Sequence, residues 1–137
     1  MRVLVADDDP AYLEMVTGNL AQWDFEPVTA SDGQEALAIM QAPGAPRLLI
    51  LDWSMPGMDG YELCQTLRRR RGSDEFILIM TGSTRKSEMA RILVAGADSY
   101  LMKPFDPLDL EIHLRMARRL LALQDDLDQA RRSAAGK

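Results

Sequence analysis

The sequence predicts an α/β fold, a doubly wound parallel sheet with helices on both of its faces. Segments typical of strands and of helices alternate five times along the 137 residues. Two apolar runs, residues 48–51 and 76–80, lack polar alternation, which indicates strands covered on both faces. With 47% hydrophobic and 27% charged residues, the chain suits one globular domain with a substantial core.

The first strand, residues 2–6, leads into three consecutive carboxylates, Asp7, Asp8 and Asp9. Asp9 can cap the following helix, and Pro10 fits its first turn, where a missing N–H costs nothing. We expect that helix to end near Gln22.

The second strand, residues 25–30, is interrupted by Pro27. Because proline cannot donate a ladder hydrogen bond, we expect this strand on the outside of the sheet. Ser31, followed three residues later by Gln34, predicts the start of the second helix. Residues 43–46, rich in Pro and Gly, end it.

The third strand is expected over residues 48–52, with Asp52 at its C-terminal tip. After a Pro- and Gly-rich loop, a third helix is expected over about residues 59–71, stopping at Gly72. The arginine run 68–71 has two interpretations, cations that favour the end of the helix dipole or a binding patch. The first is favoured.

The fourth strand, residues 76–80, leads to Thr81, and the fifth, residues 99–102, leads to Lys103. Between them we expect a fourth helix from about Thr84 to residue 95. The residues it is predicted to bury are Met89, Ile92 and Leu93.

Composition argues against several classes of function. The net charge of −5 and the pI near 4.8 predict that the chain binds no nucleic acid, because phosphate binding needs clustered positive charge. The single cysteine, Cys64, rules out an intramolecular disulfide and lies at the spacing of a packing residue. With no signal peptide or long apolar span, we expect a cytoplasmic chain without a membrane partner.

Polar residues gather where the strands end. In an open parallel sheet these ends share one edge, where ligands bind. Crowded carboxylates repel each other and take up protons unless a cation intervenes, and Mg²⁺ suits a site of one or two carboxylates and a phosphate oxygen. Lys103 and Thr81 could then hold the other oxygens of a phosphoryl group on Asp52. The strand-end residues are Asp7, Asp8, Asp52, Thr81 and Lys103.

Four separated motifs, in the same order, resemble the receiver domain of two-component response regulators. The resemblance covers about residues 1–120, leaving residues 121–137 as a helical linker or tail. It implies a flavodoxin-like (βα)5 sheet of strand order 2-1-3-4-5. The motifs are residues 3–9, residues 51–52 with 55–60, residues 80–82 and residues 103–105.

The resemblance further implies that Asp52 accepts a phosphoryl group from a sensor histidine kinase, a phosphotransfer protein or a small phosphodonor. Mg²⁺, or Mn²⁺, would be held by the side chains of Asp8 and Asp52, by the backbone carbonyl of Ser54, and through water by Asp7. Lys103 would contact the phosphoryl oxygens. The domain would thus catalyse its own phosphorylation and dephosphorylation without otherwise being an enzyme.

In the implied switch, Thr81 moves toward the phosphoryl oxygens and Tyr100 turns inward. Each has a simpler interpretation, a loop cap for Thr81 and a partly buried aromatic for Tyr100. Trp53 is bulky and could gate access to its neighbour. Ser54 and Ser83 leave room for an attacking water, which predicts a short-lived phosphoryl state.

The fifth helix, from Asp106, is expected to continue past residue 120 with apolar residues at alternating spacings of four and three. Asp126 and Arg131 fall at heptad positions g and e, where they could pair between parallel chains. Two interpretations stay open, a homodimeric linker to an output domain or downstream protein in a longer regulator, and a helix end that frays. The spaced residues are Met116, Leu120, Leu123, Leu127, Ala130 and Ala134.

Two other functions fit parts of the pattern. A Mg²⁺-dependent phosphohydrolase with Asp52 as nucleophile usually needs a general acid two residues later, where this chain has Ser54. A nucleotide or flavin binder would need a Gly-rich phosphate loop after the first strand, which the sequence lacks. The sequence therefore predicts a phosphorylatable signalling switch.

Overall fold

A computed structural model of the chain describes residues 1–83 and 85–136. Within these residues, five strands alternate with five helices. The strands are β1 (Arg2–Ala6), β2 (Glu26–Ala30), β3 (Leu48–Asp52), β4 (Phe76–Thr81) and β5 (Ser99–Met102). The helices are α1 (Pro10–Gln22), α2 (Gly33–Gln41), α3 (Gly60–Arg68), α4 (Lys86–Ala95) and α5 (Pro107–Ala135).

All strand pairs are parallel, and the sheet order is β2-β1-β3-β4-β5, which confirms the predicted topology and the outer position of β2. In the register of the sheet, Ala6 lies beside Leu51 and Thr81 lies beside Met102. The residues that follow β1, β3, β4 and β5 therefore meet at one edge of the sheet.

Alternate strand residues point to two separate hydrophobic layers. On one face, Leu49 and Ile77 pack with buried residues of α2, α3 and α4. On the other face, Ile50 and Leu78 pack with buried residues of α1 and α5. Cys64 belongs to the first layer as predicted, and burial raises the pKa of its thiol to about 11.

The second helix begins one residue later than its predicted cap. Asp32, not Ser31, is the N-cap, and its side chain accepts a 2.7 Å hydrogen bond from the Glu35 N–H. The Glu35 carboxylate accepts in return from the backbone N–H and the hydroxyl of Ser31. A capping box is present, but it is built from Asp32 and Glu35 in place of Ser31 and Gln34.

The third helix ends at Arg68, three residues before the predicted end. The Arg68 side chain leaves the helix to bind the Gly96 carbonyl at 2.8 Å and the Asp98 carboxylate at 2.6 Å. Arg70 donates to the Met40 carbonyl at 3.0 Å. Arg68 lies in the last turn of α3, as the dipole interpretation predicts, and two of the four arginines also bind groups of this chain.

The fourth helix begins at Lys86, while its predicted start, Thr84, lies outside the described residues. Ile92 is buried as predicted and Met89 is half-buried, but Leu93 is 71% exposed. The prediction for Leu93 is wrong. The face of α4 that packs on the sheet contains Ile92 and Ala95. Successive residues of a helix are rotated by about 100°, so Leu93 points away from that face.

The fifth helix is continuous across the predicted domain boundary at residues 120/121 and reaches Ala135. Arg47 holds the extension against the domain through a 2.7 Å ion pair with Asp125. Four of the predicted seam residues are 47–58% exposed, namely Met116, Leu120, Leu123 and Leu127. In the described part of the chain, no helix combines the length and the apolar character needed to cross a membrane.

Candidate functional site

The β3 tip presents Asp52 in a nearly buried position, with 6% of the residue exposed. The backbone after it is tightly held, since Trp53 N–H donates to the Met80 carbonyl at 2.8 Å and Gly60 N–H donates to the Trp53 carbonyl at 3.0 Å. A Cβ on Gly60 would lie 2.8 Å from the carbonyl oxygen of Asp52. The absence of a side chain at residue 60 therefore lets α3 begin directly against Asp52.

Asp7, Asp8 and Asp52 form an acidic cluster whose ligand oxygens all lie within 4.8 Å of one another. Asp7 and Asp52 are buried, whereas Asp8 is exposed. The capping of α1 is done by Asp9, whose side chain accepts from the Ala11 N–H. Helix capping therefore does not explain why Asp7 and Asp8 are carboxylates.

Lys103 reaches this cluster from the end of β5. Its Nζ lies 2.8 Å from Asp7 Oδ2, 3.4 Å from Asp52 Oδ1 and 4.0 Å from the centre of the Tyr12 ring. The peptide between Lys103 and Pro104 is cis. The ammonium group is thus placed between two carboxylates, with its closer contact to Asp7.

The electrostatics of the cluster act mainly on Asp52. Burial, followed by the negative charge of Asp7, raises the pKa of Asp52 from 3.8 to about 7, against the opposing effect of Lys103. Burial alone lowers the pKa of Lys103, but the hydrogen bond that Lys103 donates to Asp7 and the negative charge of Asp52 outweigh it, so the net shift is upward. The surroundings thus favour the neutral form of Asp52 and the charged form of Lys103.

The donor set of the acidic cluster fits Mg²⁺. All three groups offer oxygen, and oxygens within 4.8 Å of one another can share one ion, since Mg²⁺–oxygen distances are about 2.1 Å. A bound cation would also relieve the repulsion that raises the Asp52 pKa. Asp7, Asp8 and Asp52 are therefore the residues that could hold a metal; Ser54 is exposed beside Asp52 and its backbone carbonyl stays a predicted ligand.

The two predicted switch residues differ in their environment. Thr81 is 2% exposed, and its Oγ1 accepts a 3.1 Å hydrogen bond from the Ser83 N–H, so it does cap the loop. The same hydroxyl keeps a hydrogen to donate. Tyr100 is 39% exposed, on the opposite side of β5 from its buried neighbour Leu101.

A polar cavity of about 660 Å³ opens over Asp52. It brings two arginines and a glutamate of the β4–α4 region to the site, in addition to Thr81, Ser54 and Ser83. The lining residues are Asp52, Trp53, Ser54, Asp59, Thr81, Gly82, Ser83, Arg85, Glu88 and Arg91.

Trp53 is part of the cavity wall. Its side chain is packed edge-on against Tyr61, with ring centres 5.8 Å apart, and its Nε1–H donates to Glu88 Oε2 at 2.6 Å. The residue is only 9% exposed. The predicted gate is thus a side chain fixed by a charge-assisted hydrogen bond to α4.

Sequence reasoning missed the contacts of Tyr12 and Glu88. Tyr12 lies in the first turn of α1, directly after the β1 tip, so its position alone could have placed it near the carboxylates. Glu88 reaches the site through the position of α4 over the sheet, for which the sequence pattern contains no signal.

Comparisons with known proteins agree with this geometry. The family model of the response regulator receiver domain matches residues 3–115. The probable transcriptional regulator ycf27 of Cyanophora paradoxa is 39% identical over 118 residues, which are 86% of this chain and 48% of the relative. The response regulator MprA of Mycobacterium ulcerans is 40% identical over 126 residues, which are 92% of this chain and 53% of the relative.

The solved structure of chemotaxis protein CheY4 of Vibrio cholerae superposes with a TM-score of 0.77 at 32% identity, covering 85% of this chain and 97% of CheY4. The chain spans about half the length of the curated relatives that it matches.

Proposed function

Because the chain belongs to the family of response regulator receiver domains, we propose that it is a signalling switch phosphorylated on Asp52. The phosphodonor in the proposal is the phosphohistidine of a sensor histidine kinase or of a phosphotransfer protein, or a small acyl phosphate. The compartment is the cytoplasm.

One observation carries the proposal, namely the position of Asp52 between two carboxylates and a lysine at the floor of an open cavity. Asp52 is 6% exposed as a residue, yet the cavity of about 660 Å³ above it is wide enough for a phosphodonor to approach. Lys103 Nζ lies 3.4 Å from the carboxylate oxygen that would carry the phosphoryl group. A purely structural aspartate would not need an opening of this size.

In the proposed reaction a deprotonated Asp52 oxygen forms a bond to phosphorus, and the bond from phosphorus to the donor nitrogen or oxygen breaks, with its electron pair leaving on the donor. Lys103 stabilises the negative charge of the transferring group. Mg²⁺, held by Asp7, Asp8, Asp52 and the Ser54 carbonyl, would neutralise the same charge and hold Asp52 in its ionised form.

The proposed switch begins at Thr81. Its hydroxyl hydrogen would be donated to a phosphoryl oxygen, which draws in the loop whose Ser83 N–H it now binds. Tyr100, exposed in this structure, would then turn inward. Loss of the phosphoryl group by attack of water is expected to be fast, because Ser54 and Ser83 are the small side chains that line the cavity beside Asp52.

We further propose that α5 joins two copies of the chain in parallel and connects them to an output domain. The exposed stripe of Leu120, Leu123 and Leu127 faces away from the residues that α5 buries. In a parallel pair, Asp126 of one copy would meet Arg131 of the other, which favours this orientation.

Incubation with acetyl phosphate tests the proposed reaction. With Mg²⁺ the protein should take up one phosphoryl group and then lose it by hydrolysis, while the Asp52→Asn variant takes up none. The alternative, a phosphohydrolase with Asp52 as nucleophile, predicts sustained turnover of p-nitrophenyl phosphate by the wild type. Such turnover would favour the hydrolase, and its absence together with labelling would favour the switch.

A further inference from the structure

The residue after the proposed phosphoacceptor is attached to α4 by a short hydrogen bond. Trp53 Nε1–H donates to Glu88 Oε2 at 2.6 Å, and Glu88 is the third residue of α4. Hydrogen bonds to an ionised carboxylate are about twice as strong as neutral ones. The indole therefore connects the loop after β3 to the first turn of α4.

The same connection extends to α3. Arg91 Nη1 lies 3.8 Å from the other carboxylate oxygen of Glu88, Oε1, and the Arg91 guanidinium lies 4.6 Å from the centre of the Tyr61 ring. Tyr61 in turn packs edge-on against Trp53. The four residues form a closed set of contacts that we call the α4 clamp, made of Trp53, Tyr61, Glu88 and Arg91.

Apart from the α4 clamp, few buried side chains hold α4 in place. Its buried residues are Ile92 and Ala95, whereas Leu93 and Val94 are more than 70% exposed. Its N-cap, Arg85, makes no side-chain capping hydrogen bond. A helix held by so little apolar area can be displaced at small cost, so a charged hydrogen bond at its first turn has a large effect on its position.

We propose that Glu88 is a positioning residue that holds α4 in its resting place and thereby opposes the active conformation. The inference rests on the proposed phosphorylation of Asp52. Glu88 and Asp52 line the same cavity, so a phosphoryl group on Asp52 adds negative charge to a cavity that already contains the Glu88 side chain. Repulsion between the two negative charges weakens the hydrogen bond between Trp53 and Glu88, and α4 can then leave its resting position.

Thermodynamic linkage predicts the direction in which removing the clamp changes ligand affinity. If the clamp stabilises only the resting conformation, removing it favours the active one, and every ligand specific to the active conformation binds more tightly by the same factor. Loss of a contact that merely supports the fold would lower stability without tightening that binding.

The test is the affinity of the full chain for beryllofluoride with Mg²⁺, measured by calorimetry, as a mimic of the phosphoryl group. Glu88→Ala and Trp53→Phe should each bind about five- to tenfold more tightly, and the double variant no more tightly than either. Glu88→Gln keeps an acceptor for the indole but loses the charge, so it should bind about two- to threefold more tightly than the wild type, between the wild type and Glu88→Ala. Ser87→Ala, at the exposed neighbouring position of α4, is the matched control.

Three results separate the possibilities. Equal affinities for the wild type, Glu88→Ala and Trp53→Phe would overturn the clamp, as would fully additive effects in the double variant. A wild type that binds no beryllofluoride would instead contradict the proposed function of Asp52. Because Trp53→Phe and Glu88→Gln change few atoms, they keep the test usable even where Glu88→Ala folds poorly.

Discussion

The ammonium group of Lys103 is bound to the buried carboxylate of Asp7, with 2.8 Å between Nζ and Oδ2. The distance to the nearest oxygen of Asp52 is longer, at 3.4 Å. Asp7 is fully buried, so Lys103 compensates a charge that would otherwise lack a cation in a region of low dielectric. Lys103 therefore has a structural task in this state, in addition to the proposed contact with a phosphoryl group.

Replacing Lys103 by methionine should destabilise the metal-free protein by about 3 kcal/mol, because it leaves the Asp7 carboxylate buried and uncompensated. Urea denaturation measures this difference. Saturating Mg²⁺ should remove most of it, since the cation supplies the missing positive charge. Lys86→Ala, a change at an exposed lysine, is the control and should have little effect. Equal losses with and without Mg²⁺ would contradict the role assigned to Lys103.

The raised pKa of Asp52, about 7, predicts a pH-dependent effect of Asp52→Asn. In the unfolded chain the carboxyl titrates near 3.8, so between the two values the folded protein binds the proton more tightly. The stability that this group contributes is therefore fully present below about pH 3.8 and is lost progressively as the pH rises from there to about 7.

Asp52→Asn should thus stabilise the metal-free protein by about 2 kcal/mol at pH 8 and by much less at about pH 4. Thermal unfolding at the two pH values, in the presence of a chelator, measures the effect. A gain of the same size at both values would show that burial and the charge of Asp7 do not act on Asp52 as described.

Gly60 and Gly82 provide a matched pair of substitutions in the same site. A Cβ on Gly60 would lie 2.8 Å from the Asp52 carbonyl oxygen, whereas nothing lies within 4 Å of a Cβ on Gly82. Gly82→Ala should stabilise the protein by about 0.5 kcal/mol through the entropy of the unfolded chain. Gly60→Ala should destabilise it by about 2 kcal/mol and lower its affinity for Mg²⁺. Equal effects of the two variants would contradict the tight packing of α3 against Asp52.

The exposed leucines of α5 are proposed to form the contact of a parallel dimer. Leu123→Glu places a charge in the seam and should convert a dimer to a monomer in analytical ultracentrifugation. Ala122→Glu adds the same charge one residue earlier, outside the seam, and should leave the dimer intact. A wild type that is monomeric with and without beryllofluoride would contradict the proposed dimer and favour the interpretation that the end of α5 frays.

Much of the fold could be predicted because its signals are local. The strand that carries Asp52 is an unbroken apolar run and ends in a charge, and the observed strand has the predicted bounds. The order of Pro10 after Asp9 likewise predicts the start of α1. Helix ends were less predictable because they depend on tertiary partners. At the end of the third helix, the Arg68 side chain binds Gly96 and Asp98, which are distant in sequence.

In the candidate site, too, the features with local sequence signals could be predicted and those that depend on tertiary contacts could not. Its carboxylates, threonine and lysine follow strands, and the strand order brings them together. By contrast, the sequence does not indicate that Trp53 donates a hydrogen bond to Glu88, which is 35 residues further along the chain. That contact depends on how α4 lies over the sheet, and α4 has too few buried residues for its pattern to indicate its position.

The measurement that tests the central claim most directly is the intact mass of the protein after incubation with acetyl phosphate and Mg²⁺. The account predicts a population heavier by one phosphoryl group in the wild type, none in Asp52→Asn, and none in the wild type when a chelator replaces Mg²⁺. A phosphoryl group on the Asp52→Asn variant, or none on a folded wild type at any Mg²⁺ concentration, would contradict the assignment of Asp52 as the phosphoacceptor.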